Sequence, residues 1–269
     1  MNDSQPQARF DALTGSLTSR LLHGAGRAMA LCYKQDPQVP LRSLLHGITA
    51  DGDFMIAYYA AEDDPALTMP TVCPIQVEIV REAMSPLVKL VTASAHILGD
   101  LEWVSLADAK EMAEGGQLPD HIADWAKDAP MRIGLISIEK LILHDPSGVS
   151  KICPQSLLAR EPIRAFPSPS QEIDCSQMLG ASNDMLRNVC LAVESGELPG
   201  KICGRCPQSL ICGHIANKVV CADIDRLGVT LTHIRNDEIT TVFAAFENPV
   251  SSIKEFEDEF EKICFAKGI

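Results

Sequence analysis

The sequence predicts an α+β fold in which an antiparallel β unit is followed by a smaller α/β unit. Apolar segments of strand length, separated by tight-turn residues, fill most of the first 160 residues. A stretch with three prolines and two serines, 161–170, is incompatible with regular structure and marks a boundary. Helical periodicity and further strand segments follow it. We therefore expect a first domain at 1–160, a linker at 161–172 and a C-terminal domain at 173–269.

In the first domain, a helix is expected to lead into a series of strands. Apolar residues recur at helical spacing over residues 5–22, and the predicted helix ends near Gly24 and Gly26. The Asp51-Gly52 pair favours a tight hairpin between two of the strands. A helix over 106–114 precedes the long sixth strand, and the predicted strands are 27–34, 39–46, 54–60, 72–80, 89–98, 131–143 and 149–153.

The C-terminal domain is expected to have the order α–β–β–β–α. Its first helix covers 175–194, and Ser252 with Glu255 forms a capping box for the last helix. Between the first helix and the strands lies the cysteine-rich segment 201–221, which we interpret as a loop. The predicted strands are 218–224, 229–235 and 238–246.

Charge and composition limit the classes of partner. The chain of 269 residues carries a formal net charge of −13, which disfavours nucleic acid and anionic membranes as partners. The first residues lack the pattern of a signal peptide, and no apolar run is long enough to span a bilayer. A cytoplasmic location is therefore predicted, in which most of the ten cysteines are reduced thiols.

Three sequence blocks carry a resemblance to a known family. They are Ser94–Leu106 (SAHILGDLEWVSL), Arg132–Gly148 (RIGLISIEKLILHDPSG) and Asp223–Ala245 followed by Pro249-Val250. With these blocks the chain resembles the HugZ-like family of haem-utilisation proteins, and the last two look most like its actinobacterial branch. The resemblance implies a split antiparallel β-barrel of the flavin-oxidase type joined to the small C-terminal domain. It also implies a homodimer formed through the barrels, with haem in some relatives and flavin in others at the barrel interface.

Two departures from the family pattern bear on function. The family's His-Met-Asn-x-Asp-His element is replaced here by the run from Gln177 to Ser182, so both histidines and the aspartate are absent. The barrel strands also lack a dense set of Arg, Lys and Ser side chains that would hold a flavin phosphate, so FMN is not expected. The resemblance thus implies haem or iron binding, with haem degradation as its enzymatic form, and leaves open whether the chain is an enzyme.

The segment 201–221 concentrates residue types that ligate metals. Cys203 and Cys206 form a C-x2-C pair, whose short spacing lets two thiolates hold one metal ion. A zinc ion or an iron–sulfur cluster would complete its ligand set from Cys212, His214 and Cys221, with Cys190 as a further thiolate for the cluster. The alternative is a set of buried, reduced thiols without a ligand.

Haem ligation is a competing interpretation. Cys206 follows Arg205 and precedes Pro207, and a cysteine–proline dipeptide leaves a thiolate exposed to ferric iron because proline turns the chain away. His23, beside the glycines that end the first helix, is a candidate axial ligand. His46, or alternatively His96, is a candidate on a predicted barrel strand, from which it would point into the barrel groove. The histidines show no spaced pair along the sequence.

Two functions follow from these patterns. The first is a haem- or iron-linked binding protein of the HugZ-like type. The second is a non-enzymatic regulatory module, in which a metal ion or iron–sulfur cluster in the cysteine-rich segment sets a conformation that a protein partner recognises.

Overall fold

The computed structural model describes residues 4–59, 64–83, 85, 89–128, 131–158, 166–168, 171–180, 183–208 and 211–265. None of the helices in these ranges has the length and hydropathy that a bilayer crossing requires. Most of the predicted linker 161–172 lies outside the described residues, so the domain boundary stays a prediction.

The first half of the chain is mainly antiparallel sheet. Helix α1 (Ser4–Leu22) leads into strands β1 (Arg27–Cys32), β2 (Val39–Ile48) and β3 (Phe54–Tyr59). A short 3-10 turn, Pro65–Thr68, precedes strands β4 (Val72–Glu82) and β5 (Val91–Trp103). The remaining elements are α2 (Leu106–Glu114), α3 (Asp120–Asp128), β6 (Met131–Asp145) and β7 (Gly148–Ile152).

Six of these strands close into a barrel. They pair antiparallel in the order β3-β2-β1-β4-β5-β6, and β3 also pairs with β6 from Phe54↔Ile136 to Tyr59↔Met131, so the ring has no open edge. Strand β7 forms a hairpin with β6 outside the ring. The predicted α+β class with an antiparallel barrel is thereby confirmed.

The barrel core comes from strict alternation of side chains. In β4, Ile75, Val77 and Ile79 are fully buried, while the residues between them face outward. Leu21 and Leu22 at the end of α1 join the same core, so the helix closes one side of it. A smaller cluster around Met55 and its neighbours packs beneath α2 and α3.

The second half forms a four-stranded antiparallel sheet with helices. After α4 (Pro154–Leu158), α5 (Glu172–Leu179) and α6 (Asn183–Ser195), the sheet has the order β8-β11-β10-β9. Its core includes Phe256 of the last helix, which stacks on Phe260. The elements are β8 (Gly200–Pro207), β9 (Lys218–Asp225), β10 (Gly228–Ile234), β11 (Glu238–Ala245) and α7 (Ile253–Phe265).

The structure corrects three predictions of secondary structure. The single helix predicted over 175–194 is two helices, because α5 ends at Gly180. One third of the predicted loop 201–221 is strand β8, which pairs with β11 from Gly200↔Ala244 to Pro207↔Glu238. The sheet in the second half of the chain therefore has four strands rather than three. Helix α3, which precedes the long strand β6, is absent from the sequence-based prediction.

A buried network of ion pairs joins the two halves. Arg20 of α1 donates to both oxygens of Asp223 at 2.9 and 2.6 Å and to Asp225 Oδ2 at 3.2 Å. Ser16 also donates to Asp225. Arg81 of β4 lies within 3.0 Å of Asp223 Oδ1. Burial alone would raise the pKa of Asp223, but the two guanidinium groups outweigh burial and hold that pKa below its ordinary value.

Candidate functional site

The structure separates the candidate metal ligands of the cysteine-rich segment 201–221 from one another. Cys203 is half-buried and Cys206 exposed, both on β8, while Cys212 and His214 lie exposed before β9. Cys221 is buried in β9, at the opposite edge of the sheet from β8. With β11 and β10 between them, the two edge strands are about 14 Å apart at roughly 4.8 Å per strand. Cys221 therefore cannot share a metal ion with the C-x2-C pair.

No group of three or more His, Cys, Asp or Glu residues is arranged to hold a metal ion within the part of the chain that the structure describes. A tetrahedral zinc site needs four ligands, or three with an open position, and a cluster needs four thiolates. The fold thus gives no support to the zinc and iron–sulfur hypotheses for Cys203, Cys206, Cys212, His214 and Cys221.

The histidines proposed from sequence have structural roles. His46 is buried, with Nε2 at 2.7 Å from the Leu21 carbonyl oxygen, so it fastens the end of α1 to β2. Burial is the main cause that lowers the pKa of His46 to about 4, and the imidazole is therefore neutral. His23 Nδ1 lies 2.7 Å from the Ser19 carbonyl oxygen in the last turn of α1.

Cys206, the cysteine proposed from sequence as a haem ligand, is exposed on β8. Its Sγ accepts a hydrogen bond from Gln208 Nε2 at 3.3 Å.

Two other histidines meet on the outer face of the barrel. His96 on β5 and His144 on β6 have ring centroids 4.9 Å apart, with the ring planes at 69°. The antiparallel register places Ser94 opposite His144 and His96 opposite Ile142, which brings the two imidazoles side by side. We refer to His96 and His144 as the histidine pair. Sequence spacing could not reveal it, because the two residues meet only through the pairing of β5 with β6.

One member of the pair has polar neighbours. Ser94 Oγ lies 3.2 Å from His96 Nε2, and Glu78 Oε1 lies 3.9 Å from the same nitrogen. Glu78 is the direct cross-strand partner of His96 in β4. His144 is the more exposed of the two imidazoles and has only β7 beyond it in the sheet. His144 is therefore the better placed to contact a ligand.

An apolar surface surrounds the histidine pair. Cross-strand partners point to the same side of a sheet, so the register defines this surface across β1, β4, β5, β6 and β7. At roughly 4.8 Å per strand it measures about 19 Å along the curved outside of the ring. Met29 is 49% exposed and Val149 67% exposed. We call it the barrel patch; its apolar members are Met29, Leu31, Val80, Leu98, Ile142 and Val149.

Cations stand at the rim of the barrel patch. Arg27 is cross-strand from Val80, Lys140 from Leu98, and Lys151 from Ile142. All three cations are exposed. The patch thus combines apolar side chains, two imidazoles and basic residues, and the polar Glu78 lies between Met29 and His96 in the same row of the sheet.

A groove adjoins the histidine pair on the side of the C-terminal sheet. Its volume is about 280 Å³, and the barrel contributes Val91, Ser94 and His144 to its lining. The opposite wall comes from the C-terminal sheet, through Thr232, Ile239 and Thr241. A flat ligand on the barrel patch can therefore extend one edge into this groove beside His144.

Comparisons with solved structures find distant likenesses. A haem-binding protein from Mycobacterium smegmatis is 15% identical, with 94% of this chain and 95% of that chain covered at a TM-score of 0.47. A protein of unknown function from Agrobacterium tumefaciens is 17% identical over 95% and 96% of the two chains, at a TM-score of 0.37. An FAD- and haem-binding protein from Mycobacterium smegmatis is 16% identical over 57% and 89%, at a TM-score of 0.32.

These likenesses carry no argument about fold or function, because their TM-scores lie below 0.5. No family model matches the chain, and no curated protein matches it. The HugZ-like assignment therefore stays a prediction, and the function has to be inferred from the geometry of this chain.

Proposed function

We propose that this protein binds haem on the barrel patch, with His144 as the axial ligand of the iron. The observation that carries the proposal is the histidine pair, set in an exposed apolar sheet surface with cations at its rim. Membership of the HugZ-like family, implied by the sequence blocks, is part of the same proposal.

The number of available protein ligands favours haem over a bare metal ion. Haem iron already has four porphyrin nitrogens and needs only one protein ligand, whereas zinc or a cluster needs three or four. The ring centroids of His96 and His144 are 4.9 Å apart, which is ring-to-ring contact and leaves no room for a macrocycle between them. A single imidazole would therefore ligate the iron, and the other would lie beside it.

The remainder of the barrel patch matches the other parts of haem. The apolar side chains near His144 on β5, β6 and β7, which are Leu98, Ile142 and Val149, would cover one face of the macrocycle. Burial of apolar area yields about 25 cal/mol per Å². Lys140 and Lys151 would attract the propionate carboxylates, because charge-assisted hydrogen bonds to a carboxylate are stronger than neutral ones. Arg27 is already paired with Glu82 at 2.6 Å. His96, whose Nε2 is within hydrogen-bond distance of Ser94 Oγ, would fix the orientation of its neighbour.

We also propose that a second copy of the chain covers the haem, as the resemblance to dimeric proteins implies. Exposed Met29 and Val149 would then be buried between the two barrels. Light scattering coupled to size exclusion should give the mass of a dimer. The double variant Met29→Glu/Val149→Glu should give the mass of a monomer, and an unchanged mass would contradict this interface.

Titration with ferric haem tests the proposed function. The wild type should develop a shifted Soret band with one haem per chain, and His144→Ala should weaken haem binding at least tenfold. His214→Ala, which removes an exposed histidine from the C-terminal half, is the matched control and should bind as the wild type does. Equal affinity of His144→Ala and His214→Ala would refute the assignment of the ligand.

A further inference from the structure

A second cavity lies where α1, the barrel and the C-terminal sheet meet. Its volume is about 240 Å³. It adjoins the groove through Thr92 and Asp145, but neither His96 nor His144 lines it. We call it the interdomain cavity. It uses both the barrel and the C-terminal sheet, and the haem proposal assigns it no role.

A buried arginine lines the interdomain cavity with part of its hydrogen-bonding capacity unused. Arg81 is 3% exposed and donates from Nη1 to Glu172 Oε1 at 2.7 Å. Its Nη2 lies 3.0 Å from Asp223 Oδ1, but the two atoms are not aligned for a hydrogen bond. Among the residues that the structure describes, Nε and Nη2 have no hydrogen-bond partner. These two nitrogens form one edge of the guanidinium, the edge that binds a carboxylate through two parallel hydrogen bonds.

Two carboxylates line the same cavity. Asp145 accepts the backbone N–H groups of Ser147 and Gly148 on its Oδ1, which leaves Oδ2 to face a ligand. Burial raises the pKa of Asp145, and the nearby Asp223 carboxylate raises it further, although the two N–H donors and Lys201 act in the opposite direction. Asp223 is already paired with Arg20 through both oxygens, so a bound cation would stabilise mainly the ionised form of Asp145.

The lining is balanced in charge and partly apolar. Arg81 and Lys201 supply two positive charges, and Asp145 and Asp223 supply two negative ones. Arg81 also pairs with Glu172, and Asp223 with Arg20, so these two charges are partly neutralised within the protein. A molecule that carries one charge of each sign fits this lining better than a simple anion or a simple cation does. An apolar wall for the rest of such a molecule comes from Leu13, Leu17 and Phe243.

The volume sets the size of the ligand. At about 30 Å³ per water molecule, the interdomain cavity has room for about eight waters. A free amino acid of medium size has a similar number of non-hydrogen atoms. Hydroxyl groups of the lining supply hydrogen-bond donors and acceptors for the polar end of such a ligand. They belong to Thr14, Thr92, Ser147, Ser150 and Thr230.

We propose that the interdomain cavity binds a free α-amino acid with an uncharged side chain. The ligand carboxylate pairs with the unused edge of Arg81, and its ammonium lies between Asp145 and Asp223. The side chain packs on Leu13, Leu17 and Phe243. This site is independent of haem.

Calorimetric titration of the full chain with L-leucine tests the proposal. Two analogues isolate the charges: 4-methylpentanoate lacks the ammonium, and L-leucinamide lacks the carboxylate. L-leucine should bind at one site per chain, and each analogue at least tenfold more weakly. Absence of leucine binding at millimolar concentration, or equal binding of all three compounds, would overturn the proposal.

Three variants complete the test. Arg81→Lys keeps the charge but loses the bidentate edge and should weaken leucine binding at least tenfold. Thr230→Leu fills the cavity from the position opposite Asp223 in the sheet, keeps every charged residue, and should abolish binding. It is the second test if Arg81→Lys does not fold, as judged by circular dichroism. Undiminished binding to folded Thr230→Leu would refute the site. His144→Ala should bind leucine as the wild type does, which separates this proposal from that of the haem ligand.

Discussion

Replacing Arg20 with methionine removes the centre of the network that joins α1 to the C-terminal sheet. The guanidinium is 2% exposed and makes three charge-assisted hydrogen bonds to Asp223 and Asp225. Methionine is similar in length but carries no charge. In the variant, Asp225 therefore loses its ion pair with Arg20, and Asp223 retains only its ion pair with Arg81. Truncating one partner of a buried ion pair costs about 3–5 kcal/mol, because the other charge stays buried without compensation.

The cost is large enough to measure by thermal unfolding. With an unfolding entropy of about 2.1 cal/mol/K per residue and 269 residues, Arg20→Met should lower Tm by about 5–9 °C. The matched control is Arg27→Met, which removes a 2.6 Å pair with Glu82 whose arginine is 69% exposed. Exposed ion pairs contribute about 0–1 kcal/mol. Divided by the same unfolding entropy, this free energy corresponds to a decrease in Tm of about 2 °C or less for the control. Equal shifts for the two variants would refute a buried network that stabilises the fold.

Three further predictions concern stability. His46 has a pKa of about 4 in the folded chain, below its ordinary 6.5, so the unfolded state takes up a proton first as pH falls. The free energy of unfolding should therefore drop by about 2 kcal/mol between pH 7 and pH 4.5, and His46→Gln should lose that part of the pH dependence; an unchanged pH profile would contradict this. Glu259 accepts hydrogen bonds from Glu247 N, Asn248 N, Asn248 Nδ2 and Lys262 Nζ, so Glu259→Gln should cost about 2 kcal/mol in urea unfolding, and a neutral variant would exclude this role. A Cβ on Gly99 would collide with the Ser137 carbonyl oxygen, so Gly99→Ala should cost about 1–3 kcal/mol by the same assay, whereas full stability would show that the strand can shift.

The sequence is sufficient for elements whose signal is local. Its apolar residues at helical spacing predict a helix at 5–22, and α1 is found at Ser4–Leu22. Strand β4 is predictable because every second residue is apolar, and the structure buries those residues. Strand β8 escapes prediction because it is an edge strand with one neighbour and carries glycine, proline and cysteine in place of an alternating apolar pattern.

The candidate sites could not be predicted because they depend on contacts between distant parts of the chain. His96 and His144 meet only through the register of β5 with β6. Arg81 reaches Glu172 and Asp223, which are distant in sequence, only after the barrel and the C-terminal sheet have docked. Conversely, the C-x2-C pair is a local pattern, and the fold places its expected partner Cys221 on the far edge of the sheet.

The most direct test of haem binding at the barrel patch is the absorption spectrum of the ferric haem complex of His144→Ala, with and without added imidazole. If His144 is the axial ligand, the variant should lose the wild-type Soret position, and free imidazole should restore it by filling the space that the side chain left. A variant spectrum identical to that of the wild type, or a lost band that imidazole does not restore, would contradict ligation of the iron by His144.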